Sequence, residues 1–132
     1  MPSRIEAALE QARRRLTRVT AQQAAAQIAN GEALLVDTRT DSQRARDGNI
    51  PGALVVDRTV LEWRLDPTSP HRIPEATSDG VRIILICNQG YSSSLAAASL
   101  LDLGLTNVTD VIGGFESWKS AGLPVAEVGP AH

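Results

Sequence analysis

The chain has 132 residues, of which 42% are hydrophobic and 21% are charged, and its formal net charge is −2. These values are typical of one globular domain with a single core, and they exclude a disordered or coiled-coil chain. The small negative charge gives no reason to expect nucleic acid or a membrane surface as a partner. The sequence contains no long apolar run and no segment like a signal peptide, so we expect a cytoplasmic protein.

The first eighteen residues predict a helical arm. Apolar residues recur every three or four positions from Ile5 to Val19, as on one side of an amphipathic helix. The arm is basic, and we interpret its arginines as a solvated helix face because acids and glutamines are interleaved with them. They are Arg4, Arg13, Arg14, Arg15 and Arg18. The apolar side of the arm is a candidate contact for a homo-oligomer.

The following segments alternate between helices and strands. Thr20 is a capping residue for a helix that Asn30-Gly31 ends, and the apolar run ALLVD at 33–37 predicts a strand. A polar stretch at 41–47 and the turn GNIPG lead to a second apolar run, ALVV, at 53–56. We predict a helix over 59–65 and a long Pro- and Ser-rich loop over 66–80.

The strongest strand signal is VRIILIC at 81–87, which is apolar on both alternating faces, as in a central parallel strand. A helix over 93–104, a strand at 107–112 and a last helix at 113–122 complete the order. Strands that alternate with helices predict a parallel sheet covered on both faces.

The single cysteine, Cys87, lies at the carboxyl end of this strand, where open α/β sheets bind their ligands. The segment NQGYSS must then turn the chain into a helix, and Gly90 allows a backbone path that a side chain would obstruct. Such a turn directs backbone N–H groups and the positive end of a helix at one point, which favours a thiolate. A lone cysteine is by itself more often an inert core residue. The glycine and the serines after it favour a reactive thiol.

Other chemistry has less support in the sequence. One cysteine cannot form an internal disulfide, and with only two histidines, His71 and His132, we expect no metal and no other cofactor. A thiol–disulfide oxidoreductase would need a second cysteine. A phosphatase of the Cys-x5-Arg type would carry an arginine where this chain has Ser93.

Four segments together resemble the single-domain rhodanese-like sulfurtransferases. The segment CNQGYSS at 87–93 matches their loop Cys-x-x-Gly-x-Ser-Ser, and LLVDTR is similar to their Asp-x-Arg strand end. GNIPGA is similar to their Gly-His-Ile-Pro-Gly-Ala turn, with Asn49 instead of histidine at a position that looks structural, and VIGGFESWKSAGLPV is similar to their closing signature. The resemblance covers a rhodanese-like domain (19–128); the predicted N-terminal helical arm (1–18) lies outside it, and a tail (129–132) follows. It implies an α/β fold with a central parallel sheet of about five strands and helices on both faces.

The resemblance also implies a function. Cys87 would take the sulfane sulfur of a donor such as thiosulfate or a persulfide, carry it as a persulfide, and pass it to a thiophilic acceptor: cyanide, a small thiol or a protein thiol. The rest of the loop would bind the charged sulfur through Asn88, Gln89, Gly90, Tyr91, Ser92 and Ser93. Asp37 and Arg39 would brace loops, and Trp118 would belong to the core.

Two questions stay open. The loop lacks the arginine that many family members carry, and Arg58 and Arg72 are candidate rim contacts for an anionic donor, although a surface role is the simpler interpretation of each. The alternative to the enzyme is a non-catalytic rhodanese-like module that binds a partner or senses oxidants or sulfur through Cys87.

Overall fold

A computed structural model describes residues 2–127, so the tail predicted at 129–132 lies outside the described residues. The helices are α1 Arg4–Arg14, α2 Ala21–Ala29, α3 Asp41–Asp47, α4 Leu61–Leu65, α5 Ser92–Asp102 and α6 Gly114–Ser120, with a short 3-10 helix, Arg58–Val60, before α4. The strands are β1 Leu34–Asp37, β2 Leu54–Val55, β3 Ile83–Ile86 and β4 Val108–Asp110.

The strands form a parallel sheet in the order β2-β1-β3-β4. Within residues 2–127 the sheet has four strands rather than the expected five or so. A single parallel bridge between Val19 and Val111 lies next, beyond the end of β4. This pairing cannot lengthen into a strand because the next residue, Thr20, already caps α2 with its side chain. The predicted α/β class with a parallel sheet is confirmed.

Helices cover both faces of the sheet, as the sequence predicts. Side chains of β3 alternate between two cores: Ile83 and Leu85 belong to one, and Ile84 and Ile86 to the other. Helices α4 and α5 close the first core, and α2 and α6 close the second. Because β3 is buried on both faces, it fixes the position of the residue that follows it, Cys87.

One helix was not predicted. The polar stretch at 41–47 forms α3, which has no buried residue and therefore no apolar periodicity to reveal it. Its sequence signal is a capping box: Gln43 N–H donates to Thr40 Oγ1 at 3.1 Å, and Thr40 N–H donates to Gln43 Oε1 at 3.0 Å.

The arm is packed on the domain. Helix α1 begins at a capping box between Ser3 and Glu6 and lies against α5. Ala12 is buried there, and Leu16 packs against the core that α5 closes. Ile5 and Leu9 lie beside Ser92 and Leu95 near the start of α5, and Arg15 pairs with Asp102 at its end, so α1 runs along α5 in the same direction. No helix described for this chain is long and apolar enough to cross a lipid bilayer.

Candidate functional site

The cysteine loop, residues 87–93, connects β3 to α5. Gly90 in its middle has a φ of +84°, and a Cβ at this position would lie 2.7 Å from the backbone nitrogen of Gly113. Both the backbone conformation and the available space therefore require glycine.

The sulfur of Cys87 is held by the loop that follows it. Cys87 is only 5% exposed, and its Sγ accepts from Gly90 N–H at 3.1 Å and from Ser93 N–H at 3.4 Å. Ser93 Oγ lies 3.2 Å from Sγ and 2.7 Å from Asp110 Oδ2. Its single proton goes to Asp110 while Cys87 is a thiol that donates to Ser93 Oγ, and it can turn to the sulfur when Cys87 is a thiolate. Burial is the largest influence and raises the pKa of the thiol, but hydrogen bonds from the Ser93 and Ser92 hydroxyls and from the Ser93 and Gly90 N–H groups together hold that pKa below its ordinary value. These hydrogen bonds therefore stabilise the Cys87 thiolate relative to that of a free cysteine.

The carbonyl groups of the loop point outward to donors on two sides. On one side, Cys87 O accepts from Phe115 N–H at 2.8 Å and Asn88 O accepts from Glu116 N–H at 3.1 Å, both in the first turn of α6. Gly114 allows this approach, since a Cβ there would lie 2.5 Å from the carbonyl oxygen of Cys87.

On the other side, two arginines of the arm reach Gly90. Arg13 Nη2 donates to Gly90 O at 2.8 Å, and Arg18 Nη2 donates to the same oxygen at 2.9 Å. Arg13 Nε also donates to Ser94 Oγ at 3.2 Å. The solvated-face interpretation is therefore wrong for these two arginines, although the side chains of Arg14 and Arg15 are 69% and 46% exposed.

Because these loop carbonyl groups point outward, the N–H groups of the same peptides point inward. In a planar trans peptide the N–H points opposite to the preceding C=O, and the described residues contain no cis peptide. The carbonyls of Cys87, Asn88 and Gly90 thus direct the N–H groups of the next residues away from α6 and from the arm. Within residues 2–127 those three N–H groups, of Asn88, Gln89 and Tyr91, have no hydrogen-bond partner. They are free to bind an anion.

A buried carboxylate lies behind Ser93. Asp110, at the end of β4, is 0% exposed, and its Oδ2 accepts from Ser93 Oγ and from Ser94 Oγ, each at 2.7 Å. Arg18 balances its charge, with Nε 2.8 Å from Oδ1 and Nη2 3.2 Å from Oδ2. A chain of contacts thus runs from the sulfur through Ser93 and Asp110 to the arm. No spacing pattern indicates Asp110, Arg13 or Arg18, because these residues are far from Cys87 along the chain.

A cavity of about 320 Å³ opens at the sulfur. Its walls are the loop, residues 38–40 after β1, Gln43 of α3, and Arg58. Arg58 is also paired with Glu62 at 2.9 Å and is 41% exposed at its side chain. Arg72 does not line this cavity; its Nη1 donates to the carbonyls of Ile73, Pro74 and Ala76, each at 3.3 Å. The structure brings Arg58 to the sulfur and leaves Arg72 elsewhere.

The cavity entrance is formed by the exposed side of the loop. Gln89, Tyr91 and Ser92 all line the cavity and are exposed, Tyr91 with 59% of its surface. Gln89 Nε2 donates to Glu116 Oε1 at 3.2 Å. The guanidinium carbon of Arg13 lies 5.6 Å from the centre of the Tyr91 ring, a cation–π distance.

Asp37 and Arg39 form a buried ion pair behind the cavity. Arg39 Nη2 lies 2.8 Å from Asp37 Oδ2 and 2.9 Å from Gly48 O, and its guanidinium carbon lies 3.8 Å from the centre of the Phe115 ring. The pair therefore ties β1 to the turn after α3 and to α6. Trp118 is buried in the core between α2, α6 and the sheet, and its Nε1–H donates to Pro124 O at 2.8 Å.

Comparison with protein families agrees with this geometry. Residues 20–121 match the model of the rhodanese-like domain. The thiosulfate sulfurtransferase GlpE of Actinobacillus succinogenes is 33% identical over 109 residues, which are 83% of this chain and 89% of the relative. The GlpE protein of Pseudomonas entomophila is 36% identical over 104 residues, 78% of this chain and 84% of the relative.

Solved structures share the fold. A Rhodopseudomonas palustris protein of unknown function, described as a "possible tyrosine phosphatase", superposes with a TM-score of 0.83 at 34% identity. The match covers 95% of this chain and 98% of the other, so it must include part of the arm. The human single-domain sulfurtransferase has a TM-score of 0.64 at 23% identity, over 78% of this chain and 95% of the other, and supports the fold alone.

Proposed function

Because the chain belongs to the rhodanese-like domain family, we propose that it is a sulfurtransferase that carries a sulfane sulfur as a persulfide on Cys87. The observation that carries the proposal is the position of the Cys87 sulfur. It lies at the end of the central strand, it accepts two backbone N–H bonds at 3.1 and 3.4 Å, and it opens onto a cavity bordered by further N–H groups without partners. That arrangement stabilises a negative charge on the sulfur and leaves room for one more anionic atom.

The first half-reaction loads the sulfur. The Cys87 thiolate attacks the outer sulfur of thiosulfate, the S–S bond of thiosulfate breaks, and sulfite leaves with the electron pair. The new terminal sulfur carries the negative charge, as the thiolate did before. The N–H groups of Asn88, Gln89 and Tyr91 are the donors available to this outer sulfur.

The second half-reaction returns the thiolate. A nucleophilic acceptor such as cyanide attacks the terminal sulfur, the S–S bond of the persulfide breaks, and thiocyanate leaves. A small thiol or a protein thiol can take the place of cyanide, in which case the acceptor leaves as a persulfide. Cys87 keeps the electron pair of the broken bond, so the cycle closes without any net change in the protein.

The donor is proposed to be thiosulfate or another small anionic sulfane. Two curated relatives of this chain are named thiosulfate sulfurtransferases. Arg58 on the cavity wall is the cation best placed to meet the sulfonate group of such a donor. Glu62 already pairs with Arg58. We therefore expect the contact between Arg58 and the sulfonate to affect donor binding rather than the reactivity of the thiolate.

The phosphatase description of the Rhodopseudomonas palustris protein does not transfer to this loop. The Cys-x5-Arg type of phosphatase uses an arginine at the position of Ser93, and here the Ser93 hydroxyl donates to Asp110. Arg13 and Arg18 approach the loop from its outer side, where they donate to the Gly90 carbonyl. We therefore rank phosphate transfer below sulfur transfer.

Intact-mass analysis of the full chain tests the proposal. After incubation with thiosulfate we expect a gain of one sulfur atom, reversal by cyanide, and no gain in Cys87→Ser. Release of thiocyanate gives the same answer by a second method. No sulfur gain from thiosulfate, a persulfide or a polysulfide would support the non-catalytic binding or sensing module instead. Hydrolysis of a phosphotyrosine analogue that depends on Cys87 would support the phosphatase.

A further inference from the structure

The cysteine loop has N–H groups without partners that can bind an anion, but it supplies no cation of its own. Residues 87–93 contain no lysine, arginine or histidine. The positive charges nearest to its backbone come instead from Arg13 and Arg18, both on the segment that precedes the family match at residues 20–121. Both guanidinium groups donate to one atom, the carbonyl oxygen of Gly90, at 2.8 and 2.9 Å.

Of the two arginines that reach the loop, only Arg18 has an ion-pair partner. Arg18 pairs with the buried carboxylate of Asp110. Arg13 forms no ion pair with any residue in the part of the chain that the structure describes, although it is half-buried. Of the other charged groups around the sulfur and its cavity, Arg39 pairs with Asp37 and Arg58 pairs with Glu62, while Glu116 accepts from Gln89 at the entrance. Arg13 thus places a positive charge without an ion-pair partner behind the Gly90–Tyr91 peptide.

We propose that Arg13 and Arg18 are positioning residues for the sulfur chemistry of Cys87. By holding the Gly90 carbonyl outward, they fix the Gly90–Tyr91 peptide with the Tyr91 N–H toward the anionic sulfur. Their charge also polarises that peptide, since a cation at the oxygen makes the N–H a stronger donor. The part of the inference that concerns the outer sulfur rests on the proposed function. The part that concerns the thiolate does not.

Arg13 provides the sharper test because it has no buried carboxylate to leave unpaired. In Arg13→Gln we expect alkylation of Cys87 by iodoacetamide at pH 7 to slow by about fivefold to tenfold, with the midpoint of its pH profile moved upward. Arg13→Lys retains the charge and should recover part of the rate. Loading of sulfur from thiosulfate should slow in the same order.

Arg15 is the matched control. It lies on the same arm, and its guanidinium pairs with Asp102 at 2.7 Å on the exposed surface instead of reaching the loop. Arg15→Gln should alkylate and load sulfur as the wild type does. Circular dichroism and urea unfolding of both full-length variants test whether each is folded. For Arg18, the double variant Arg18→Gln/Asp110→Asn removes the cation and the buried charge together.

The outcomes separate the inference from the proposed function. A folded Arg13→Gln variant with the wild-type alkylation profile overturns the inference, whether or not the wild type transfers sulfur. A wild type that accepts no sulfur, but whose alkylation still depends on Arg13 and not on Arg15, overturns the proposed function and supports the positioning role. Equal slowing in Arg13→Gln and Arg15→Gln also contradicts the inference, because it indicates a general effect of the arm.

Discussion

The cysteine loop is supported on two sides by different chemistry. On the α6 side, main-chain N–H groups of Phe115 and Glu116 donate to loop carbonyls, and glycine makes the close approach possible. On the arm side, the guanidinium groups of Arg13 and Arg18 donate to the carbonyl of Gly90. The first support depends on the absence of a side chain, and the second depends on two particular side chains. We therefore expect an added Cβ to disrupt the contacts with α6, and the loss of an arginine charge to disrupt the contacts with the arm.

The largest effect is expected from Gly114→Ala, which should disrupt the contacts between α6 and the loop. Gly114 has a φ of +59°, and a Cβ there would lie 2.5 Å from Cys87 O and 2.6 Å from Gly90 N. The left-handed conformation and the overlap with main-chain atoms should together cost about 3 kcal/mol of unfolding free energy. Urea denaturation measures this loss, and sulfur loading should disappear with it.

Gly122→Ala is the control for that substitution. Gly122 has a φ of +72°, but nothing lies within 4 Å of the Cβ position. It should lose only the left-handed penalty, about 1 kcal/mol, and retain sulfur loading. Equal losses in the two variants would show that contact with the loop is irrelevant.

The two sides also differ in how far the sequence predicts them. The α6 side leaves a local trace in the segment GGFESW, whose paired glycines allow a close backbone approach, although we predicted only a helix there. The arm side is not visible, since Arg18 meets Asp110 across a separation of 92 positions and no spacing links them. The same reason explains why Cys87 and its loop were identified from local residues while Asp110 was missed.

The fold shows a similar division. The four-residue β3 and the helices that cover it were predicted because hydrophobic periodicity records burial. Helix α3 was missed because it buries nothing, and only the Thr40–Gln43 capping box marks it. The predicted run ALVV forms only the two-residue strand β2 at the sheet edge, where Val55 is 52% exposed. Periodicity therefore predicts the buried centre of the sheet better than its edge.

The next effect in size concerns the hydroxyl groups between the sulfur and the arm. Ser93 and Ser94 both donate to Asp110 at 2.7 Å, but only Ser93 Oγ lies beside the sulfur, at 3.2 Å. Ser93→Ala removes one of the hydrogen bonds that lower the pKa of the Cys87 thiol, so burial should raise that pKa. Loss of a bond worth about 1 kcal/mol should slow alkylation at pH 7 about fivefold.

Ser94→Ala serves as the comparison. Its hydroxyl contacts Asp110 and Arg13 but not the sulfur. We expect the alkylation rate of Ser94→Ala to stay within about twofold of the wild type, because an indirect contact shifts the thiol by less than one hydrogen bond. If Ser94→Ala were slowed as much as Ser93→Ala, the carboxylate and not the direct contact would control the thiol.

A smaller effect is expected in the pH dependence of stability, which reports the hydrogen bonds that Gly90, Ser92 and Ser93 make to the sulfur. The folded state lowers the pKa of the Cys87 thiol, so the thiolate is relatively more stable in the folded chain than in the unfolded one. The stabilising contribution is complete above the unfolded pKa, about 8.5, and is lost as the pH falls through the lower, folded pKa. The free energy of unfolding of the wild type minus that of Cys87→Ala should therefore rise with pH. Urea denaturation in buffers on either side of this range measures it, and a difference that fell with pH would mean that burial outweighs the hydrogen bonds.

The smallest effect is expected from Asn49→His, which places the residue typical of the family in the turn after α3. Asn49 pairs with Ala126 through main-chain atoms in both directions, each hydrogen bond 2.7 Å long, so its side chain is not part of the pairing. The free energy of unfolding should change by less than about 0.5 kcal/mol, and sulfur loading should stay at the wild-type rate. The neighbouring Gly48 gives the contrast: it is buried, and a Cβ would lie 2.9 Å from Ala126 O, so Gly48→Ala should be clearly destabilising. An Asn49→His variant that altered sulfur loading would show that this turn acts on the site through a side chain, as the arm does, and not through the main chain, as α6 does.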